Sequence, residues 1–208
     1  MTAHNKYEAN DPKLQGCTIL RIIRFSELET LPWKNGGGIT REIAALRLDE
    51  NIMWRLSMAD VESNGPFSNF AGLTRILTVI KGNGIKLISA DQAIHALFGV
   101  PVEFDGALNI QSQLINGPVR DLNVMFDPKI CAAKVLFAKT SMIVESVIMD
   151  EPQTIAIIGL RGTARVNSEH NLQFGDTALS HNGRIDLLLE NQALALVVKL
   201  EMRGSSIV

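Results

Sequence analysis

Short apolar runs and alternating apolar and polar positions dominate this chain, and no long segment repeats its hydrophobic residues at the helical period. The runs are rich in Ile, Val, Leu and Thr and are separated by Gly, Pro, Asn and Asp, which is typical of strands and turns. The pattern predicts thirteen strands, at residues 17–24, 39–48, 52–60, 73–80, 84–89, 108–115, 119–126, 132–138, 142–149, 153–160, 163–167, 184–189 and 193–201. It also predicts two short helices, at 27–30 and 91–98. The chain is therefore expected to be all-β, as a barrel or a sandwich.

A weak internal repeat predicts a duplication. Residues 79–87 and 157–166 share an apolar strand, a glycine-bearing turn and an alternating strand, and a Phe in a turn follows each copy. Thirteen strands are crowded for one small barrel, whose interior is filled at about eight strands. We therefore expect a polar tail over residues 1–15, an N-terminal barrel with the candidate pocket over 16–127, and a C-terminal barrel over 128–208.

Composition and charge exclude several classes of partner. The 208-residue chain has a net charge of −2, which provides no basic face for nucleic acid. No signal peptide is recognisable, and the longest apolar run is far shorter than the roughly 20 residues that cross a bilayer. We expect a cytoplasmic protein with no nucleic-acid or membrane partner. Cys17 and Cys131 have no obvious neighbouring base, so we interpret both as reduced core residues.

A glycine-rich segment is the first candidate site. It contains, in order, Trp33, Lys34, Asn35, Gly36, Gly37 and Gly38. Glycine lets backbone amides approach a guest closely, and successive amides can form an anion-binding concavity. We favour a site in which Lys34 and Asn35 orient a carboxylate. The alternative is a glycine-rich turn between two strands.

Three predicted strands each carry a polar pair on one face, because successive side chains of a strand alternate in direction. The pairs are Thr40 and Glu42, Arg55 and Ser57, and Asp121 and Asn123. If these faces line one barrel interior, they form a polar pocket with both signs of charge. The alternative is a solvated exterior. The two carboxylates are candidates for an acid and a base, although carboxylates in such positions are mostly ion-paired.

The turn-rich loop over residues 60–72 and its surroundings supply further candidates. Ser68 offers a hydroxyl group, and Phe67 and Phe70 either form a lid or pin the loop to its own barrel. Arg75 follows the loop and can pair with a carboxylate of the protein or of a ligand.

Metal and nucleotide motifs are lacking in the sequence. No two of the four histidines, His4, His95, His170 and His181, have the close spacing of a shared metal site. Neither a phosphate-binding loop nor a nucleophile elbow is present. We therefore expect no metal and no other cofactor.

Four ordered segments make the chain resemble a known family. They are residues 32–44, 54–61, 65–72 and 117–125, which read PWKNGGGITREIA, WRLSMADV, GPFSNFAG and GPVRDLNVM. Together they resemble the HutD/Ves family, a group of small bacterial proteins with a double cupin (bicupin) fold. The resemblance covers most of residues 17–205. One departure is Ala71, where the family usually has Pro.

The resemblance implies two jelly-roll-like β-barrels packed together, with the pocket in the N-terminal one. It also implies a link to histidine utilisation or, for Ves-type members, to stress, without an established reaction. Cupins often bind metal through a His-x-His and a later Glu and His, and this chain lacks that set. By analogy, we expect a metal-free pocket that binds a small polar acid, with Trp33 or Trp54 as a wall.

Three functions remain open. The first is a regulatory protein that binds a polar carboxylic acid; Lys34, Asn35 and Arg55 would hold its carboxylate, and Thr40, Ser57, Asp121 and Asn123 its polar remainder. The second is a metal-independent hydrolase or isomerase whose general base, Glu42 or Asp121, needs a pKa raised by burial. The third is a structural or partner-binding module, whose aliphatic second half supports the first or forms a homodimer.

Overall fold

The structure is a computed structural model that describes residues 19–145 and 153–203. These residues form seventeen strands and one 3-10 turn at Phe25–Glu27. The strands are β1 (Ile19–Ile23), β2 (Leu31–Pro32), β3 (Gly38–Leu48), β4 (Asn51–Val61), β5 (Gly65–Pro66), β6 (Thr74–Lys81), β7 (Gly84–Ile88), β8 (Ala93–Leu97), β9 (Val102–Asp105), β10 (Gln111–Leu114), β11 (Val119–Phe126), β12 (Cys131–Ala138), β13 (Met142–Glu145), β14 (Gln153–Val166), β15 (His170–Leu172), β16 (Thr177–His181) and β17 (Arg184–Met202). None of the helical structure in these ranges is long and apolar enough to cross a membrane.

The strands are arranged in two jelly-roll-like halves. The first half has a six-stranded sheet in the order β2-β3-β4-β11-β6-β9 and a four-stranded sheet in the order β5-β10-β7-β8. The second half has a sheet in the order β1-β16-β14-β17-β12, with β13 on β17 and β15 on β14. The named strand pairs are antiparallel, which is usual for sheets joined by hairpins and longer crossings rather than by helices.

Strand pairing changes in both halves at corresponding points of the sequence repeat. In the first half, β6 pairs with β9 and β11, and after a bend at residues 82–83 the chain continues as β7, which pairs with β8 and β10. In the second half, β14 is continuous, but its pairing with β17 shifts register between Gly159 and Thr163. Beyond the shift, β14 pairs with β15 instead of β16. The bend in the first half and the register shift in the second half therefore both let the chain exchange one set of strand partners for another.

The all-β prediction is confirmed, with differences in several elements. Residues 93–97 form strand β8 on β7, so the helix predicted at 91–98 is wrong. Alternation is weak there because Ala96 is the one buried residue of this strand. The predicted pairs of strands at 153–167 and 184–201 are the single long strands β14 and β17. Parts of the strands predicted at 17–24 and 142–149, and residue Cys17, lie outside the described residues.

Strand β1 differs from its predicted place in the fold. Its residues fall in the range 16–127 that we assigned to the first barrel, yet it pairs with β16 of the second half from Ile19 to Ile23. Leu20 and Ile22 pack against the core of that half. Such a pairing spans about 150 residues of sequence, which local alternation cannot detect.

A shared hydrophobic core joins the halves. One side of this core is the face of the six-stranded sheet that points away from the first half. The core contains Trp54, Leu56, Met58, Leu122 and Val124 of that face, together with Leu196 and Val198 of β17. Burying each such large side chain contributes about 1.5–3 kcal/mol. Separate cores fill the first half and the second half. The opposite face of the six-stranded sheet consequently points into the first half.

A charged cluster lies where the 3-10 turn meets both halves. Asp60 accepts hydrogen bonds from Arg41 Nη1 at 2.7 Å and from Arg120 Nη2 at 2.8 Å, and Arg120 Nε also contacts its carboxylate. The Arg120 guanidinium lies over the Phe25 ring, 4.4 Å from its centroid, and Phe25 N donates to Asp176 at 3.0 Å. This cluster therefore ties strands of the first half to the second half.

Replacing Asp60 by Asn is expected to destabilise the protein by about 2–3 kcal/mol at pH 7, because two largely buried guanidinium groups lose their counter-charge. Burial alone would raise the pKa of Asp60, but Arg120 and Arg41 outweigh it and lower the pKa below 3.8. The stabilisation is therefore complete above about pH 4 and is lost as the pH falls through the lowered pKa. Urea unfolding at pH 7 and pH 3 checks this, and a difference between wild type and variant that is equal at both pH values contradicts it.

Candidate functional site

The glycine-rich segment forms the tight turn between β2 and β3. Trp33 N donates to Gly38 O at 2.9 Å, Gly36 N donates to Trp33 O at 3.0 Å, and Gly37 N donates to Asn35 Oδ1 at 3.0 Å. The amides of Gly36 and Gly37 are thus used inside the turn, and Lys34 and Asn35 are exposed. The geometry favours the alternative of a turn between strands, and an anion held by Lys34 and Asn35 stays a prediction.

Two of the three glycines have a structural explanation. Gly36 has a φ of +70°, which side-chain-bearing residues rarely adopt. A Cβ on Gly38 would lie 2.2 Å from Asp60 O and 3.3 Å from Trp33 Cε3, because β3 runs against β4 there. A Cβ on Gly37 would meet nothing closer than 3.3 Å. The turn therefore requires glycine at positions 36 and 38 without any guest.

A matched pair of alanine variants tests whether Gly38 matters more to stability than Gly37. Gly38→Ala is expected to destabilise the protein by about 2 kcal/mol or more, because the backbone of β4 has to move away from the new methyl group. Gly37→Ala is expected to cost clearly less, since its neighbours are the ends of side chains. Thermal unfolding of both variants measures the difference, and equal losses would show that the close approach at Gly38 is unimportant.

The three polar pairs predicted from alternation share the inner face of the six-stranded sheet. One row across the sheet consists of Glu42, Ser57 and Asn123, and the next row consists of Thr40, Ala59 and Asp121. Neighbouring strands are about 4.8 Å apart, so the side chains within a row are adjacent. Ser57, Asp121 and Asn123 are buried. The structure therefore brings these candidates together inside the first half.

Glu42 is held by two arginines at the rim of this face. Its carboxylate accepts from Arg47 Nη1 and Nη2 at 3.0 and 2.7 Å, and from Arg55 Nε at 2.7 Å. Burial would raise the pKa of Glu42, but the hydrogen bonds and charges of Arg47 and Arg55 outweigh it and lower that pKa. Glu42 consequently lacks the raised pKa that a general base requires near neutral pH. Arg55, expected to hold a ligand, already has a carboxylate partner.

Arg75 is buried on the same inner face, two strands from Arg55. Its guanidinium lies 5.1–5.4 Å from the ring centroids of Phe67, Phe70 and Phe104, and its Nη1 donates to Ser68 O at 3.1 Å. Its Nε is buried without a partner among the described residues. Burial lowers the pKa of Arg75 to about 10, partly opposed by the charge of Asp121. The side chain therefore stays charged at neutral pH.

The loop over Arg75 is pinned to its own half. Phe67 N donates to Ile110 O at 2.9 Å, and Phe70 N donates to Gly106 O at 2.7 Å. Ser68 is exposed and contributes its backbone carbonyl rather than the hydroxyl group that the sequence suggested. Of the two alternatives for this loop, the contacts favour pinning.

Asp121 and Asn123 present buried oxygen atoms to the interior. Both carboxylate oxygens of Asp121 and Oδ1 of Asn123 have no hydrogen-bond partner within the described part of the chain. Burial raises the pKa of Asp121 to about 7, although the charge of Arg75 lowers it. Because buried polar groups are almost always hydrogen-bonded, these atoms mark a place for ordered water or a ligand.

The two tryptophans have different places. Trp33 Nε1 donates to Thr40 Oγ1 at 2.7 Å, and its ring packs edge to face on Phe67 at 6.0 Å. Trp33 thus lies beside the inner face. Trp54 points the other way, into the shared core, with an exposure of 4%. The prediction that Trp54 walls the pocket is wrong. Trp54 and Arg55 are consecutive residues of β4, so their side chains point to opposite faces of the sheet.

Sequence reasoning missed two residues, Arg47 and Phe104. Arg47 reaches Glu42 because a bulge at Ile43 shifts the register of β3 against β4, and alternation carries no sign of such a shift. Phe104 lies opposite Arg75 in the pairing of β9 with β6. Cys131 is fully buried, and burial raises the pKa of its thiol, in agreement with a core residue.

The described residues contain no group of three or more His, Cys, Asp or Glu side chains placed to hold a metal ion. His95 lies on β8, His170 on β15 and His181 on β16, whereas His4 falls outside the described ranges. The polar chemistry of the inner face is therefore that of arginine, carboxyl, amide and hydroxyl groups.

Two packed jelly-roll-like halves define this protein as an all-β double cupin, and distant structural matches agree. It is similar to the bacterial pirin YhhW of Escherichia coli (9% identity, TM-score 0.62, covering 87% of this chain and 98% of that one). The HutD family model matches residues 25–197, well over half of the chain, so the chain belongs to the HutD family.

Relatives of this chain support the same family. It is similar to HutD of Pseudomonas fluorescens SBW25, with 29% identity and a TM-score of 0.78, over 89% of this chain and all of that one. It is 37% identical over 113 residues to an uncharacterised 21.2 kDa protein from the hutC 3′ region of Pseudomonas putida. It is also 37% identical over 122 residues to protein Ves of Escherichia fergusonii. These last two matches cover 53% and 56% of this chain, and 60% and 64% of the relatives' lengths.

Proposed function

We propose that the first half of this chain binds a small polar carboxylic acid between Arg75 and Asp121. One observation carries the proposal: Arg75 Nε, both carboxylate oxygens of Asp121 and Oδ1 of Asn123 are buried on one face without partners among the described residues. A guanidinium matches a carboxylate in shape and charge, and such a pair is strongest where water is excluded. A bound acid would satisfy these atoms.

The charge distribution supports Arg75 as the cation that holds the acid. Glu42 already engages both Arg55 and Arg47, so each of these guanidinium groups has a carboxylate partner. Arg75 makes no ion pair within 4.0 Å to any carboxylate of the described residues. We therefore assign to Arg75 the role that the sequence assigned to Lys34, Asn35 and Arg55. Ser57, Thr40 and Asn123 would contact the polar remainder of the acid.

We further propose a regulatory role linked to histidine utilisation. The family and the relative from a hutC 3′ region support this link, whereas the similarity to Ves supports a stress-related role instead. Among the described residues, the inner face offers a buried guanidinium and a carboxyl group but no serine or cysteine hydrogen-bonded to a base, and we therefore rank binding above turnover. Homodimer formation and a cytoplasmic location stay predictions, and sedimentation velocity tests the first.

Calorimetric titration tests the binding proposal. The ligands are urocanate, formimino-glutamate, formyl-glutamate and simple carboxylates, with the corresponding amide of each simple acid as a control that lacks the charge. We expect at least one acid to bind with one site per chain and its amide to bind much more weakly. The absence of binding by every acid would refute the proposal.

A metal-independent hydrolase or isomerase is the second candidate, and one observation favours it. Asp121 has a pKa raised to about 7, which suits a general base near neutral pH, whereas Glu42 does not meet this condition. Incubating the same acids with purified, metal-stripped protein and with its Asp121→Asn variant tests this function. Turnover that disappears in the variant supports it, and turnover unaffected by the substitution excludes Asp121 as the base.

A further inference from the structure

We propose that this site takes up one proton with each acid that it binds, because the carboxylate of the acid and that of Asp121 compete for the guanidinium of Arg75. This inference rests on the proposed function. Beyond the proposed function, it states that the bound group carries a single negative charge and that the affinity for the acid depends on pH.

The competition follows from the charges on the inner face. At the rim, Glu42 pairs with both Arg55 and Arg47 at 2.7 Å, and the excess positive charge lies on the solvent-exposed Arg47 side chain. The fully buried charges of this face are Arg75 and Asp121, at 4% and 1% exposure. With an ionised Asp121 the pair is neutral, and an added anion leaves an uncompensated charge away from water, which is costly. With a protonated Asp121, one anion restores neutrality.

Of the charged groups on the strands around Asp121, Arg75 and Asp60 are the ones that shift its pKa. The charged groups on these strands are Arg41, Glu42 and Arg47 on β3, Arg55 and Asp60 on β4, Arg75 and Lys81 on β6, Glu103 and Asp105 on β9, and Arg120 on β11 itself. Arg41, Asp60 and Arg120 form their own cluster on the opposite face of the sheet. Asp60 nevertheless raises the pKa of Asp121 somewhat and so favours its neutral form.

A protonated Asp121 also changes from acceptor to donor. An ionised carboxyl group only accepts hydrogen bonds, whereas the protonated group donates one. In that state the Asp121 hydroxyl group is a second buried donor on the inner face besides Arg75 Nε, and both can donate to a bound acid. The uptake of a proton therefore supplies both the missing charge balance and a second hydrogen bond.

The size of the pH effect follows from the pKa of Asp121, which burial raises to about 7. If the protonated form alone binds the acid, the affinity is nearly constant below this pKa and falls as the pH rises above it. Between pH 6 and pH 8 the fraction of protonated Asp121 falls about 10-fold, so the affinity should fall about 10-fold.

Formate and acetate are suitable probes, because each stays ionised throughout this pH range. Their binding to the full chain is followed by chemical-shift titration at pH 6 and pH 8. Wild type should bind about 10-fold more weakly at pH 8. Asp121→Asn, whose side chain has the same shape and is permanently neutral, should lose the pH dependence and bind equally well at pH 6 and pH 8. Asp49→Asn, at an exposed turn between β3 and β4, should retain the wild-type pH dependence.

A second measurement on wild type avoids reliance on a variant that could misfold. Titration with acetate at pH 8 in two buffers of different ionisation enthalpy should show uptake of about one proton per acetate bound. Equal acetate affinity at pH 6 and pH 8 without proton uptake overturns this inference and leaves the proposed function standing. No binding of any acid at pH 6 refutes the proposed function itself.

Discussion

Arg75→Met is expected to weaken the binding of small carboxylates at pH 6 by about 100-fold or more. The variant removes the one cation of the inner face that lacks a carboxylate partner among the described residues, and losing a charge-assisted hydrogen bond in a buried site costs about 3 kcal/mol. Methionine has a similar length and packs well against aromatic rings, so the contacts with Phe67, Phe70 and Phe104 are largely kept.

The matched control for this variant is Arg161→Met, which removes the same charge from an exposed position on β14 in the second half. It should bind acids like wild type. Calorimetry gives the affinities, and thermal unfolding shows whether both variants are folded. A folded Arg75→Met protein that binds acids within 3-fold of wild type would exclude Arg75 as the carboxylate-binding residue.

Trp54→Ala is expected to lower the free energy of unfolding by about 3–5 kcal/mol, because its side chain fills the core shared by the two halves. This loss is a large part of the roughly 5–15 kcal/mol by which most domains are stable. The cavity would open between β4 and the second half, where backbone strands on both sides limit collapse. Urea unfolding followed by circular dichroism measures the loss without depending on tryptophan fluorescence.

Trp33→Ala is the control for this prediction. Trp33 is only partly buried, so its removal loses the hydrogen bond to Thr40 and the contact with Phe67 but leaves the shared core intact. A loss of about 1–2 kcal/mol is expected. If Trp54→Ala were no more destabilising than Trp33→Ala, or weakened acid binding while stability was unchanged, the placement of Trp54 in the shared core would be contradicted.

Alternation along single strands predicted the inner face correctly. It placed Glu42, Ser57 and Asn123 on polar faces, and the register of β3, β4 and β11 aligns them in one row. This prediction succeeds because the period of two is a local property of every strand. Alternation does not reveal which polar side chains already have hydrogen-bond or ion-pair partners, because those partners lie on other strands.

Long-range pairing set the limit of the sequence analysis. The partner of β1 is about 150 residues away, and the Arg47–Glu42 ion pair depends on a bulge that leaves no mark in the pattern. The glycine-rich turn shows the same limit. Its sequence shows that the backbone is unusual, but not that Gly36 and Gly37 use their amides within the turn.

A crystal structure of the protein grown with saturating acetate at pH 6 tests the central claim most directly. The account predicts the acetate carboxylate at a hydrogen-bond distance of about 3 Å from Arg75 Nε, with its other oxygen facing Asp121. A direct Arg75–Asp121 ion pair with acetate absent from the inner face would contradict it.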